Sequence, residues 1–189
     1  EKILKSGGVM GHPEVCSALM KDGQDIMVFP GGAQEAVKPA SELYELKWKE
    51  RNGFVKLAAK HGYTIMPMGI VGPDEFYGHL IEGRDIPDSA LGTVLRRLGL
   101  LTDDFREDIM PPVPLGALGT LFPKPQRCYL GFGDPVDLSE YEGRTPTKKQ
   151  QKAIRAEVAD QIETQLAELL FTRAQNRGKD GLLRKLLTL

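Results

Sequence analysis

Two short apolar runs, Asp25–Phe29 (DIMVF) and Thr64–Val71 (TIMPMGIV), stand on either side of a helical stretch at Asn52–Lys60. Each run is continuous in its apolarity and bounded by Gly or Pro, the pattern of a strand buried on both faces. Asn52–Lys60 keeps a helical period, with Phe54, Leu57 and Ala58 inward, Lys56 and Lys60 outward, and Gly62 as its cap. Strand, helix, strand at this spacing predicts a βαβ unit with parallel pairing and a right-handed crossover. A third run, Arg127–Phe132 (RCYLGF), adds a strand that stops at Gly133-Asp134-Pro135. The expectation is a single α/β domain over residues 1–172, with a largely parallel central sheet flanked by helices.

Other segments fill in this layout. His12–Lys21 reads as a helix with Pro13 in its first turn, Val15, Ala18 and Leu19 on one face, and Gly23 at its end. Ile86–Leu101 reads as a helix with Leu91, Val94, Leu95 and Leu98 on one side, and Thr147–Thr172 as a long closing helix. The inner stripe of that last helix is Ile154, Val158, Ile162, Leu166 and Leu169. Ile109–Pro125 holds five prolines and two glycines and cannot be regular helix, yet it is apolar. Arg173–Leu189 changes character: five basic residues face one acid, Asp180, beside five leucines, a basic amphipathic tail.

Composition excludes several classes. Lys and Arg total 25 against 26 acids, so the chain has no basic field of the kind a nucleic-acid binder carries. Two cysteines, Cys16 and Cys128, and three histidines are too few for a Cys/His zinc site, and no metal is expected. The cysteines read as reduced, partly buried thiols. Glu1–Ser6 runs straight into glycines without the apolar core of a signal peptide.

The stretch most suited to chemistry is Val28-Phe29-Pro30-Gly31-Gly32-Ala33-Gln34-Glu35-Ala36. A strand running into a glycine turn exposes backbone N–H groups to a ligand, and in open α/β sheets ligands sit beyond such strand ends. On spacing alone, an ordinary turn after a strand is an equal reading. Glu35 is the side chain there best suited to contact a ligand; a carboxylate at a helix start is its other reading.

FPGGAQEA resembles the third conserved block of the glycerolipid acyltransferase superfamily, in the branch that contains diacylglycerol acyltransferase 2. Three further blocks agree in order. Gly8-Val9-Met10-Gly11 with Glu14 resembles the glycine-and-Glu segment before the turn. Arg51-Asn52-Gly53-Phe54 resembles that branch's Arg-x-Gly-Phe helix, and Ile65-Met66-Pro67-Met68 with Gly72 and Glu75 its Val-Pro-Val strand and acidic loop. The resemblance implies acyl transfer from acyl-CoA or an acyl carrier protein to the hydroxyl of a glycerolipid or long-chain alcohol, with no bound cofactor. It implies a substrate-binding set of Gly8, Gly11, Pro30, Gly31, Gly32, Ala33, Gln34, Glu35 and Arg51. Gln34 stands where phosphate-using relatives place an Arg, which favours a neutral acceptor; Lys38, Lys47, Lys49 and Arg51 are the nearby sources of charge.

The family's base is a histidine in His-x-x-x-x-Asp or His-Pro-His-Gly. Neither occurs in this chain, so the resemblance puts the motif upstream of Glu1 and leaves this segment inactive on its own. The rival is a catalytically inactive lipid- or acyl-binding module. An esterase of the α/β-hydrolase type is disfavoured, since no Gly-x-Ser-x-Gly elbow occurs. Of the three histidines, His12 suits a helix cap, His61 a cation at a helix end, and His79 a solvated loop. Trp48 and Tyr44 read as packing residues or as flanks of an acyl channel. The basic, leucine-bearing tail and the apolar Ile109–Pro125 suit a membrane surface, which the family's lipid substrates would place on the cytoplasmic face. Leucines packed on the body are an equal reading.

Overall fold

A computed structural model describes residues 8, 11–99 and 110–188. In chain order these form α1 (Pro13–Lys21), α2 (Ala33–Ala36), α3 (Gly53–Lys60), β1 (Met68–Val71), β2 (Gly78–Ile81) and α4 (Ala90–Arg97). They continue with β3 (Val113–Leu115), β4 (Tyr129–Phe132), α5 (Lys148–Asn176) and α6 (Leu182–Leu187). The chain divides into two compact units. The first gathers Glu1–Pro30, Trp48–Pro67 and Phe132–Ile162; the second gathers Gly31–Lys47, Met68–Gly131 and Glu163–Leu189.

In the first unit, α1 opens at Pro13, whose missing N–H would have no helical partner there. It buries Cys16 and Met20, while Val15 stays 40% exposed. The Val15–Ala18–Leu19 face expected from the spacing is therefore not the inner one; both faces satisfy the period, and packing against α3 selects between them. α3 buries Val55, Ala58 and Ala59, and Gly62, at φ +64, ends it. There Tyr63 N–H returns to Ala58 O at 2.9 Å, using a carbonyl the last turn leaves open. Trp48 is 3% exposed and meets Phe54 edge-on at 5.4 Å, with the Arg155 guanidinium 5.7 Å from its ring centre. That is packing, as one of its two readings held.

α5 starts with a reciprocal cap. Gln150 N–H donates to Thr147 Oγ1 at 3.3 Å, and Thr147 N–H donates to Gln150 Oε1 at 2.9 Å. Beyond it Ile154 and Val158 are buried in this unit, and Leu166 in the second. Gln151 is buried too, and both ends of its amide are satisfied: Nε2 donates to Pro146 O and Oε1 accepts from Asn52 Nδ2.

The second unit is built on short strands. β2 pairs antiparallel with β3, Gly78 opposite Leu115 and His79 opposite Pro114, with an irregularity between His79 and Ile81. Ile86 and Met110 form a core cluster with Ile81, Leu95 and Val113 around them. α4 is capped by Ser89, whose Oγ accepts from Gly92 N–H at 3.1 Å. It is shorter than the Ile86–Leu101 helix expected, because Pro87 and Ser89 delay its start and Gly99, at φ +69, follows its end; Leu100 and Leu101 lie outside the described residues.

The largely parallel central sheet is not present among the described residues. There are two two-stranded antiparallel sheets, β1 with β4 and β2 with β3. The expected βαβ unit fails at both ends. Asp25–Phe29 forms no strand, and Met27, Val28 and Phe29 are 67%, 46% and 65% exposed rather than buried. Pro67 splits Thr64–Val71, leaving an isolated antiparallel bridge between Ile65 and Val136 and then β1. Apolar character marked a strand correctly only within Thr64–Val71, at Met68–Val71. It carried no information on which strand, in which direction, would lie alongside.

Candidate functional site

The division into units falls between Pro30 and Gly31, so the expected binding residues separate. Gly8, Gly11, Pro30 and Arg51 belong to the first unit; Gly31, Gly32, Ala33, Gln34 and Glu35 belong to the second.

In the second unit the glycine turn is a tight structure closed by one side chain. Gly32 sits at φ 56 and ψ −139, a conformation costly for any residue with a Cβ, and it leads into the single turn of α2. Gly31 is buried, and a Cβ there would overlap the Glu35 side chain. The Glu35 carboxylate folds back on the main chain: Gly31 N–H donates to Oε2 at 3.2 Å and Lys47 N–H donates to Oε1 at 3.0 Å. Glu35 thus pins both ends of the Gly31–Lys47 segment. Each oxygen keeps a lone pair for a further donor, such as an alcohol. Ala33 is exposed and Gln34 half-buried.

In the first unit Arg51 Nη1 donates to Pro30 O at 2.8 Å. Its own carbonyl accepts from Arg155 Nε at 3.2 Å, and Arg155 Nη2 also bonds Lys49 O. Gly11 is exposed with open space where a Cβ would be, so sterics there do not demand glycine. Gly8 is half-buried.

Two of the nearby cations are already spent. Lys38 pairs with Asp74 at 3.1 Å, its side chain only 10% exposed, and Lys47 pairs with Glu42 and Glu45 at 3.0 Å each.

A cluster in the second unit escaped the sequence reading. Tyr44 Oη donates to Glu75 Oε1 at 2.7 Å, and Arg173 Nη1 donates to the same oxygen at 2.5 Å and to Tyr44 Oη at 3.1 Å. The Arg173 guanidinium also lies 5.8 Å from the Tyr44 ring centre. Burial first, then the bond to Glu75, pushes the Tyr44 hydroxyl up to about 12, so it remains a donor across the ordinary pH range. Tyr44 sits at φ 65, an uncommon backbone for an aromatic residue. The sequence named all three residues separately, but nothing local joins positions 44, 75 and 173.

The histidines differ from their expected roles. His79 lies on β2, not in a solvated loop; its side chain is 14% exposed, and Nδ1 is 2.9 Å from Glu82 Oε2. Glu82 in turn accepts from Ala40 N–H through Oε1 at 3.3 Å. His12 sits at the α1 N-cap position but makes no side-chain cap bond. His61 is the C-cap of α3, yet it is not held as a cation there. Burial, then Lys60 and Lys21, lower its pKa, and Nε2 lies 2.7 Å from Ser17 Oγ. Cys16 is buried, but Cys128 is exposed. No group of three or more His, Cys, Asp or Glu able to hold a metal occurs among the described residues.

The model of a family described as diacylglycerol acyltransferase matches residues 12–169. Phytyl ester synthase 1 of Arabidopsis thaliana is 29% identical over 164 residues, covering 84% of this chain and 23% of that protein. Diacylglycerol O-acyltransferase 2 of Dictyostelium discoideum is 26% identical over 129 residues, 65% of this chain and 36% of that protein. An uncharacterised protein of Mycobacterium leprae is 27% identical over 171 residues, 90% of this chain and 42% of that protein. The chain therefore spans about a quarter to under half of the length of these relatives. No solved structure matches it.

Proposed function

The chain belongs to the diacylglycerol acyltransferase family, and on that premise we propose that it forms part of an O-acyltransferase acting on a lipid hydroxyl. The observation that carries this is the family match over residues 12–169, which takes in the glycine turn, α3 and the loop of Glu75. The donor is a fatty acyl thioester, on CoA or a carrier protein. The acceptor is a neutral lipid alcohol, a diacylglycerol or a long-chain alcohol. Two of the relatives are named for a diacylglycerol acyltransferase and a phytyl ester synthase. Gln34 is uncharged, and Lys38 and Lys47 are committed to carboxylates, which leaves the turn poor in charge for a phosphate.

In this reaction the acceptor oxygen attacks the thioester carbonyl, its proton passes to a base, and the thiolate leaves. Glu35 accepts a hydrogen bond from the acceptor hydroxyl and holds it at the turn. The chain has no His-x-x-x-x-Asp and no His-Pro-His-Gly, so its 189 residues by themselves are expected to turn over no donor. The absent base favours one rival, an inactive module that binds acyl chains without transferring them.

The reaction takes place at a membrane surface. No helix among the described residues is long and apolar enough to cross a bilayer. α6 instead exposes Leu182, Leu183 and Leu186, at 88%, 72% and 55%, beside Arg184 and Lys185. The test is an assay with radiolabelled oleoyl-CoA and diacylglycerol, phytol or lysophosphatidate. It is run on the chain alone and on a longer protein that carries a histidine motif. Ester formed only by the longer protein, and with the neutral acceptors, is expected. Acyl binding with no ester from either would establish the inactive module, and preference for lysophosphatidate would overturn the neutral acceptor.

A further inference from the structure

A pocket of about 380 Å³ opens between α1 and α3, wholly within the first unit and using none of the turn residues. Its wall is mixed: Pro13, Ala18 and Leu57 are apolar, while Ser17, Lys21 and Lys60 bring donors. Ser17, Ala18 and Lys21 fall at the i, i+1 and i+4 positions of one helix, which stacks the hydroxyl and the ammonium on the same side. Lys60 closes the opposite wall from the last turn of α3.

Two features make this more than a gap between helices. Ser17 is fixed, because its Oγ lies 2.7 Å from His61 Nε2, a contact made across 44 residues. The positive field converges at that point, since Lys60 and Lys21 both help to lower the His61 pKa after burial has done so. Among the described residues neither lysine lies in an ion pair that would cancel this field. The pocket therefore offers two ammonium groups and a positioned hydroxyl over an apolar floor.

We infer that this pocket binds a phosphate ester, with Lys21 and Lys60 on the phosphate oxygens, Ser17 donating its hydroxyl, and the organic part lying on Leu57 and Pro13. Ammonium groups hold phosphate as point charges, and a neutral hydroxyl donor completes the oxygen's coordination. For Ser17 to donate outward, His61 turns its Nε2–H toward Ser17 Oγ, a tautomer the imidazole can adopt in its neutral form. Glu14 also borders the pocket, with a 90% exposed side chain 3.9 Å from His12 Nδ1; its charge opposes the ligand.

Phosphate esters reach a lipid enzyme from two sources, a nucleotide-linked acyl donor or an anionic lipid headgroup, and the probes separate them. Coenzyme A, inorganic phosphate and vesicles with or without phosphatidate are titrated into the 189-residue chain, with heteronuclear NMR shifts at Ser17, Lys21 and Lys60 as the readout. Saturable shifts at these three residues are expected, with coenzyme A outcompeting phosphate if the source is the nucleotide, and phosphatidate vesicles doing so if it is the headgroup. The Lys21→Glu/Lys60→Glu double variant should lose about tenfold or more in affinity, and Glu14→Gln should gain a few-fold. Both variants alter exposed side chains, and an unchanged melting temperature verifies their folding. No saturable shift with any probe, or undiminished affinity in the double variant, overturns the assignment. Either result leaves the acyl-transfer reading untouched, because that reading is judged by ester formation.

Discussion

Arg173, near the end of α5, places Nη1 2.5 Å from Glu75 Oε1, joining residues 98 apart in sequence within the second unit. The two side chains are only 20% and 25% exposed, so removing one leaves the other charged in a poorly solvated place. Glu75→Ala is expected to destabilise the chain by about 2 kcal/mol, and Tyr44→Phe, which loses a single hydroxyl donor, by about 1 kcal/mol. Urea denaturation followed by circular dichroism measures both. Equal stability of Glu75→Ala and the parent would remove this cluster from the account of the fold.

The same cluster has a pH signature. Tyr44 titrates near 10 when unfolded and at about 12 when folded, so the folded state holds its proton more tightly. The stabilisation is complete below pH 10 and is lost as pH rises from 10 through 12. Absorbance titration at 295 nm should show Tyr44 ionising last, beyond Tyr141, whose hydroxyl is also raised by desolvation and Glu140, and Tyr44→Phe should abolish that last step. Five tyrosines ionising together near pH 10 would contradict it.

Glu35→Ala removes the carboxylate that accepts from the N–H groups of both Gly31 and Lys47. In a longer protein that carries a histidine motif and forms ester, it should cut acyl transfer by about tenfold or more while the melting temperature stays within a few degrees. Gly31→Ala should act through the same carboxylate, because the new methyl group occupies the space Glu35 fills. The double variant is then expected to be no worse than the single ones. Unaltered kinetics in Glu35→Ala would take Glu35 out of the site, and additive losses would uncouple it from Gly31.

The tail carries charge that is partly committed. Asp180 accepts from Arg127 Nε at 2.8 Å and from Arg184 Nη1 at 3.1 Å, and those bonds hold its carboxyl below the usual range despite desolvation. Deleting Arg173–Leu189 would therefore also break the Glu75 pair and confuse binding with stability. Leu182→Ser/Leu183→Ser/Leu186→Ser avoids this. Partition onto anionic vesicles should fall by about tenfold, with unfolding unchanged, since each lost apolar side chain removes buried area at the interface. Sedimentation with vesicles at two salt concentrations measures it. Undiminished, salt-insensitive association would refute the tail as the contact.

What the sequence made legible was local. Pro13 and Gly62 act within a turn of where they stand, so α1 begins and α3 ends near where they say, and α5 (Lys148–Asn176) lies where the period put a helix over Thr147–Thr172. Strand pairing is set by residues far apart. Asp25–Phe29 and Thr64–Val71 looked alike on the page, yet only the second yields a strand, paired antiparallel rather than parallel. The site divides in the same way. Pro30–Glu35 stood out because Gly and Pro mark turns wherever they occur. The Tyr44–Glu75–Arg173 and Ser17–His61 contacts left no trace in spacing. The inner face of α1 was misjudged by about one residue, an error of helix rotation that only a neighbouring helix corrects, whereas in α3 the expected Ala58 is buried and Phe54 and Leu57 are half-buried, with Val55 and Ala59 buried beside them.

The chain has one tryptophan, and it is the buried Trp48, capped by the Arg155 guanidinium. Its indole emission is thus a private optical reporter for the first unit, blue-shifted when native and red-shifted on exposure to solvent. Paired with the absorbance of Tyr44 in the second, it lets two colours follow two bodies. Any lag between them during melting would read out directly how far the halves cooperate.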